Sequence, residues 1–166
     1  SLSRWQILFT ADLESNENIH FGSRLAFDRS GHLYFSVGDR GQRDFAQDLS
    51  RPNGKIFRIL RDGGIPKDNP FQGPRQIPQI WSFGHRNPQG LAIDSESGEL
   101  YSNEHGPRGG DEINLIRKGA NYGWPVVTYG REYYGPKIGE GVSKVGMEDP
   151  LYQFTPSIAL CGLMIY

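Results

Sequence analysis

From Arg24 the chain alternates its apolar and polar positions, turns at a polar stretch closed by Gly31, and resumes with the apolar run Leu33-Tyr-Phe35. The design returns as Gly90-Leu-Ala-Ile-Asp-Ser-Glu-Ser-Gly-Glu-Leu-Tyr101, with one extra residue in the turn. Side chains alternate across a strand and a glycine-closed polar turn reverses the chain, so both segments read as β-hairpins. Further apolar strands are predicted at 55–60, 79–83 and 112–116, with the second hairpin opening at 91–94. A third copy opens at Gly162-Leu-Met-Ile165, and the matching leucines at 25, 91 and 163 lie 66 and 72 residues apart.

That spacing is a repeat of about four short strands, and no run carries an amphipathic helical period. The expectation is an all-β fold of propeller type, with two to three blades in one partial domain over residues 1–166. An antiparallel sandwich that repeats a hairpin by chance is the alternative. Residues 63–78 (GGIPKDNPFQGPRQIP) hold too much Pro and Gly to pair in a sheet and read as a surface excursion between blades. A propeller closes only with four to eight blades, so this chain alone leaves open strand edges. It reads as a fragment of a larger enzyme or as a piece that pairs with other copies.

Composition narrows the partners. Eighteen basic against 19 acidic residues leave a net charge of -1, which gives no electrostatic reason to expect nucleic acid or an anionic membrane. No run approaches a membrane span, and the opening SLSRWQILFTADL looks like the interior of a domain rather than a leader. The single cysteine, Cys161, cannot form an internal disulfide, and no Cys/His spacing suits zinc.

Three loop clusters hold the candidate chemistry. His20 precedes the first hairpin and Asp39 follows it; a hairpin returns its second strand to the end where the first began, so both fall on one rim. A carboxylate-held imidazole suits a general base, although a His and an Asp this far apart are more often ordinary loop residues. In Gly84-His-Arg-Asn-Pro-Gln-Gly90, Arg86, Asn87 and Gln89 crowd donors and acceptors suited to carboxylates or quinone oxygens; a solvent-facing turn reads as well. Asn103-Glu-His-Gly-Pro-Arg-Gly-Gly-Asp-Glu-Ile-Asn114 sets freed backbone carbonyls beside Asp111 and Glu112, the hard oxygen ligands of Ca²⁺, although such acids usually face solvent. His85 and His105 read as loop residues, His32 as part of the turn, and Trp124 as core. Tyr133 and Tyr134, in a Gly-bounded loop, are the aromatics placed for ligand contact.

In this order, His20-Phe-Gly-Ser-Arg-Leu25, the 84–90 and 103–114 stretches and Asn121-Tyr-Gly-Trp-Pro125 resemble the soluble aldose sugar dehydrogenases of the glucose/sorbosone dehydrogenase family, which use pyrroloquinoline quinone (PQQ). The resemblance covers essentially the whole chain and about the middle half of a family member. It implies a six-bladed propeller and oxidation of aldose sugars to lactones. It casts His20 as the general base, Asp39 as its orienting partner, and Arg86 and Asn87 as PQQ-binding residues, with Arg86 also stabilising charge on the reduced quinone. Gln89 and Tyr133 join that shell. The carbonyls of Gly106 and Pro107 match the PQQ-linked calcium ligands; Glu112 and the Tyr122 carbonyl match a second, structural calcium site. An external electron acceptor and a periplasmic or secreted location are also implied.

Family members carry further PQQ-binding residues in other blades. The isolated chain is therefore expected to keep the Glu112 calcium site and to bind PQQ weakly or not at all. The rival readings are a non-catalytic propeller segment that assembles through its open edges, as in a homo-oligomer, and a calcium-dependent lactonase. The latter needs a carboxylate-rich axial metal site where this sequence offers Arg-Asn and Gly-Pro.

Overall fold

The computed structural model describes residues 5–13 and 15–166; positions 1–4 of the opening segment lie outside them. Eight strands form two four-stranded antiparallel meanders, an all-β architecture of two propeller-type blades. The first blade is β1 (Gly22–Phe27), β2 (Leu33–Val37), β3 (Lys55–Ile59) and β4 (Ile80–Phe83); the second is β5 (Pro88–Ile93), β6 (Leu100–Glu104), β7 (Asp111–Ile116) and β8 (Tyr152–Phe154). In each blade the strands pair in chain order.

The two predicted hairpins are the first strand pairs of the blades. Leu25 pairs with Phe35 and Leu91 with Ser102. Each turn is held by the aspartate that opens it. The Asp28 carboxylate accepts from the His32 N–H (2.8 Å), the Asp94 carboxylate from the Glu96 N–H (2.8 Å) and the Ser97 hydroxyl (2.6 Å). Gly31 and Gly98 supply the left-handed backbone, at φ 85° and 77°.

The period-2 pattern then decides the packing. Leu33, Phe35 and Val37 of β2 join Phe57, Ile59 and Ile80 on one face of the first blade, where Leu8, Phe9 and Leu13 lie over them. Tyr34 and Ile56 face the other way and meet Leu91, Leu100, Ile116 and Tyr122 of the second blade. Covered on both faces, β2 and β3 are buried along their whole length. Each large apolar side chain so buried contributes roughly 1.5–3 kcal/mol, which makes the inter-blade seam the main tie between the sheets.

Several expectations change. Residues 162–165, the predicted opening of a third copy, form no strand among the described residues, which hold two blades; the Asn103 amide on β6 donates to the Gly162 carbonyl at 3.3 Å. The 63–78 excursion lies within the first blade, between β3 and β4, and is tied down by Asn69, whose buried amide donates to the carbonyls of Arg58 (3.0 Å) and Pro78 (2.9 Å). Strand β5 starts at Pro88, the one strand position where a missing N–H costs little.

A 3-10 helix over Arg43–Gln47 was not foreseen. It is fastened by Lys55, fully buried on β3, whose ammonium donates to the carbonyls of Phe45 (2.8 Å), Ala46 (3.0 Å) and Asn53 (2.6 Å). The Asn53 amide in turn donates to the Asp39 carbonyl at 3.1 Å. The buried lysine thus fixes the loop that carries Asp39. Among the described residues no helix is long and apolar enough to cross a membrane.

Candidate active site

His20 and Asp39 do meet on one rim. The ring Nδ1 lies 2.6 Å from Asp39 Oδ1. Asp39 is 1% exposed, and its second oxygen accepts from the indole N–H of Trp124 at 2.8 Å, so the carboxylate can turn neither way. With Nδ1 donating to Asp39, the lone pair of Nε2 is left without a partner among the described residues. The backbone supports this placement at a cost. His20 has φ 52°, in the left-handed region, and its carbonyl rests on Gly38, where an added Cβ would come within 2.0 Å of the oxygen.

The second cluster is stitched directly to the first. The Asp39 N–H donates to the Arg86 carbonyl at 2.8 Å, and the Gly22 N–H to Asn87 Oδ1 at 3.2 Å. Arg86 and Asn87 are both buried. The guanidinium donates through Nη1 to the carbonyls of His105 (3.1 Å) and Gly106 (2.7 Å), while its buried Nε has no partner. Burial pushes the guanidinium below its ordinary pKa, opposed by Asp39 and Tyr133; an arginine stays charged regardless. Gln89 sits on β5 and donates to Asn87 Oδ1 (2.9 Å), so it supports Asn87.

These groups border a cleft of about 330 Å³ lined by His20, Asp39, Arg43, Arg86, Trp124 and Tyr133, with Pro107 and Glu132 at its edge. Tyr133 is exposed at the mouth, and Tyr134 is 98% exposed beyond it.

The third cluster divides. Asp111 is an anchor: its oxygens accept from the N–H groups of Gly106 (2.9 Å), Ile158 (2.9 Å) and Ala159 (2.7 Å). Although burial raises it, bonds from Ser157 and these amides hold its carboxyl below the usual range. Its neighbour Glu112 goes the other way. Burial and the nearby Glu104 carboxylate push its pKa up to about 8. The amide of Asn114 spans the pair, donating to Glu104 Oε1 and Glu112 Oε2 at 3.2 Å each, and its own buried oxygen has no partner. Glu104, Glu112 and Tyr122 line a small space of about 10 Å³.

Glu104 and Glu112, two acids around a space the size of one water or ion, fit a hard cation, with Arg86 also in the lining. Gly106 and Pro107 fit less well: the Gly106 carbonyl already accepts from Arg86, and the Pro107 carbonyl is 3.4 Å from the Ser157 hydroxyl. Among the described residues no group of three or more His, Cys, Asp or Glu is gathered to hold a metal.

Three participants were missed or misread in the sequence. Glu104, at the end of β6, accepts from His85 Nδ1 (2.9 Å) and the Arg86 N–H (2.7 Å). His85, read as a loop residue, is fully buried, 2.9 Å from the Ser82 hydroxyl and stacked on Tyr122. Trp124 is core as expected, but it also walls the cleft and holds Asp39. The repeat offered one signal: Glu104 is an acid where the counterpart position in the first hairpin is the apolar Val37.

A family model described as glucose/sorbosone dehydrogenase matches residues 1–166. The chain belongs to that family. Within this glucose/sorbosone dehydrogenase family it is 48% identical to the aldose sugar dehydrogenase YliI of Escherichia coli (strain K12), over 89% of this chain and 40% of that protein. The crystal structure of the soluble aldose sugar dehydrogenase from Escherichia coli in the apo-form superposes with a TM-score of 0.90 at 45% identity, over 93% of this chain and 46% of that one. The PQQ-bound form of the aldose sugar dehydrogenase from Streptomyces coelicolor gives 0.71 at 35% identity, over 88% and 39%. The chain therefore spans less than half the length of these relatives.

Proposed function

We propose that this chain supplies part of the active site of a PQQ- and calcium-dependent dehydrogenase that oxidises aldose sugars to lactones. The observation that carries the reading is the His20–Asp39 pair at 2.6 Å, in one cleft with an arginine whose buried Nε has no partner. Family membership and the sugar dehydrogenases among its relatives support it.

His20 takes the proton of the sugar's anomeric hydroxyl at Nε2, while Asp39 fixes the ring and stabilises the imidazolium that results. PQQ, when bound, supplies a quinone that accepts the hydride from the anomeric carbon. Arg86, which lines the cleft, brings a fixed positive charge to where negative charge develops on the acceptor. Asn87 and Tyr133 add polar contacts, Gln89 braces Asn87, and the flat face of Trp124 bounds the space for a planar group.

For calcium, Glu112 and the Tyr122 carbonyl are the residues that fit a structural ion, and the ion would neutralise the Glu104–Glu112 pair. For Gly106 and Pro107 the calcium reading rests on the resemblance alone. An external electron acceptor and a periplasmic or exported setting complete the proposal.

The test is titration of the protein that carries this chain with PQQ and Ca²⁺, followed by dye reduction with glucose beside a His20→Ala control. Saturable cofactor binding with His20-dependent turnover is expected; binding without turnover in the wild type would overturn it. Repeated on the isolated 166-residue chain, the titration is expected to give calcium binding and little or no PQQ binding.

A further inference from the structure

Beside the cleft, three cations stand in an arrangement that the fold itself disfavours. Arg108 and Arg131 form an antiparallel bridge closed by both backbone hydrogen bonds, at 3.1 Å each, and Arg131 forms a second antiparallel bridge with Lys137. Residues directly opposite across such a ladder project to the same side, so three positive side chains share one face. Like charges so placed repel. All three are exposed, and among the described residues none has an ion-pair or side-chain hydrogen-bond partner.

The nearby carboxylates do not relieve them. Glu132, next to Arg131, is taken by Arg43 at 2.6 Å, and Glu140 by Lys144 at 2.7 Å. Nor is the patch the by-product of a basic chain, whose net charge is -1.

Its position gives the repulsion a use. Arg108 follows Pro107, and Arg131 precedes Glu132 and Tyr133; Pro107, Glu132 and Tyr133 line the cleft that holds His20 and Arg86. Arg131 and Lys137 also line a depression of about 230 Å³ together with Gly130, Gly139 and Glu140, whose carboxylate is held by Lys144. The size of the depression suits a small molecule.

We propose that Arg108, Arg131 and Lys137 form the docking site of a small, multiply charged anionic electron acceptor. The inference rests on the dehydrogenase reading, because oxidation of a cyclic aldose to its lactone releases two protons and two electrons that must leave the protein. With ferricyanide as the probe the balance is one aldose and two ferricyanide ions giving one lactone, two ferrocyanide ions and two protons. A cationic rim raises the local concentration of such an acceptor and speeds its encounter, in a manner that salt weakens.

The experiment has a binding arm and a kinetic arm, both on the protein that carries this chain. Hexacyanocobaltate(III), which has the charge and shape of ferricyanide but no accessible redox change, is titrated by calorimetry at low and high salt. The expected result is saturable binding that salt weakens and that the R108A/R131A/K137A variant loses. In the kinetic arm the variant is expected to lose about tenfold or more in kcat/KM for ferricyanide at low salt, in line with electrostatic steering, while its rate with a cationic phenazinium dye is unchanged.

Equal ferricyanide kinetics in variant and wild type, with no hexacyanocobaltate binding, would overturn the proposal. If the wild type reduces neither dye, the dehydrogenase reading fails, and the calorimetry still decides whether the patch binds an anion. Should the triple variant not fold, phenylglyoxal labelling of the wild type takes its place: protection of Arg108 and Arg131 by hexacyanocobaltate supports the site, and unchanged labelling refutes it.

Discussion

His20 and Arg86 occupy the same place in successive blades, each two residues before the first strand of its sheet and 66 residues apart, the spacing of Leu25 and Leu91. In both blades a carboxylate near the end of the second strand grips that residue. In the first, Asp39 holds the imidazole itself; in the second, Glu104 accepts from the Arg86 backbone N–H, and the guanidinium donates to the carbonyls of His105 and Gly106 beside the cleft. The register explains the difference. Gly22 pairs with Val37 and Pro88 with Glu104, so the second blade carries its acid on the strand, while the first carries an apolar residue there and its acid two positions later in the loop. A general base must be aimed, which needs a grip on the ring. A charge stabiliser needs its backbone anchored and one donor left unpaired.

The largest effect should come from removing the aimed group. His20→Ala, in the protein that carries this chain, is expected to lower kcat by about 10²–10⁴ and to cost about 1.5–3 kcal/mol of stability, because it removes one bond to the buried Asp39 carboxylate. Turnover at saturating aldose checks the first part and calorimetry the second. Retention of kcat would mean that the two blades do not divide the chemistry in this way.

A subtler break leaves the His20 and Asp39 side chains in place. A Cβ at position 38 would lie 2.0 Å from the His20 carbonyl oxygen. Gly38→Ala must therefore push the His20 backbone away from Asp39. A displacement of about 1 Å is enough for roughly a hundredfold loss of rate. The lesion should appear in kcat, with calcium-dependent stabilisation intact because the Glu112 cavity lies in the other blade.

On the second-blade side, Glu104→Gln keeps the shape and removes the charge from bonds to His85, the Arg86 N–H and Asn114. Hydrogen bonds to a charged group contribute about 1.5–3 kcal/mol each, so a loss of stability of that order is expected by urea denaturation. The matching change in the first blade, Asp39→Asn, weakens bonds to His20, the Gly41 N–H and the Trp124 indole, so a similar stability loss is expected together with a larger fall in kcat. Equal falls in kcat in the two variants, measured as turnover at saturating aldose, would show that Asp39 has no role in aiming His20.

How much of this was legible follows the range of the interactions. The hairpins were readable because Asp28 with Gly31 and Asp94 with Gly98 act within a few residues. The shared rim of His20 and Asp39 followed from hairpin topology. What escaped depends on contacts across blades: the Trp124 indole reaches Asp39 from 85 residues away, and His85 is buried only because Ser82, Glu104 and Tyr122 converge on it. At 162–165 the alternation is readable but no strand forms among the described residues, because a strand is made by the ladder it pairs with as well as by its own pattern.

The smallest and most specific effect contrasts two neighbours on β7. Asp111 is held below the usual carboxylate range by the amides it accepts from, whereas Glu112 is pushed up to about 8 by burial and by Glu104. Between about pH 4.5, the ordinary value for Glu112, and pH 8, the folded protein holds the Glu112 proton and the unfolded chain does not. The unfolded state then binds fewer protons, so the Glu112 contribution favours folding at low pH and is lost as pH rises through that window. A bound cation reverses this by stabilising the ionised form. Without calcium, the thermal midpoint of the wild type should fall between pH 5 and 8 relative to Glu112→Gln; with calcium added at pH 8 it should recover in the wild type alone. A calcium effect of equal size in Glu112→Gln would move the ion out of this cavity, leaving the Glu104–Glu112 pair as a purely protonic device that ties the second blade to Arg86.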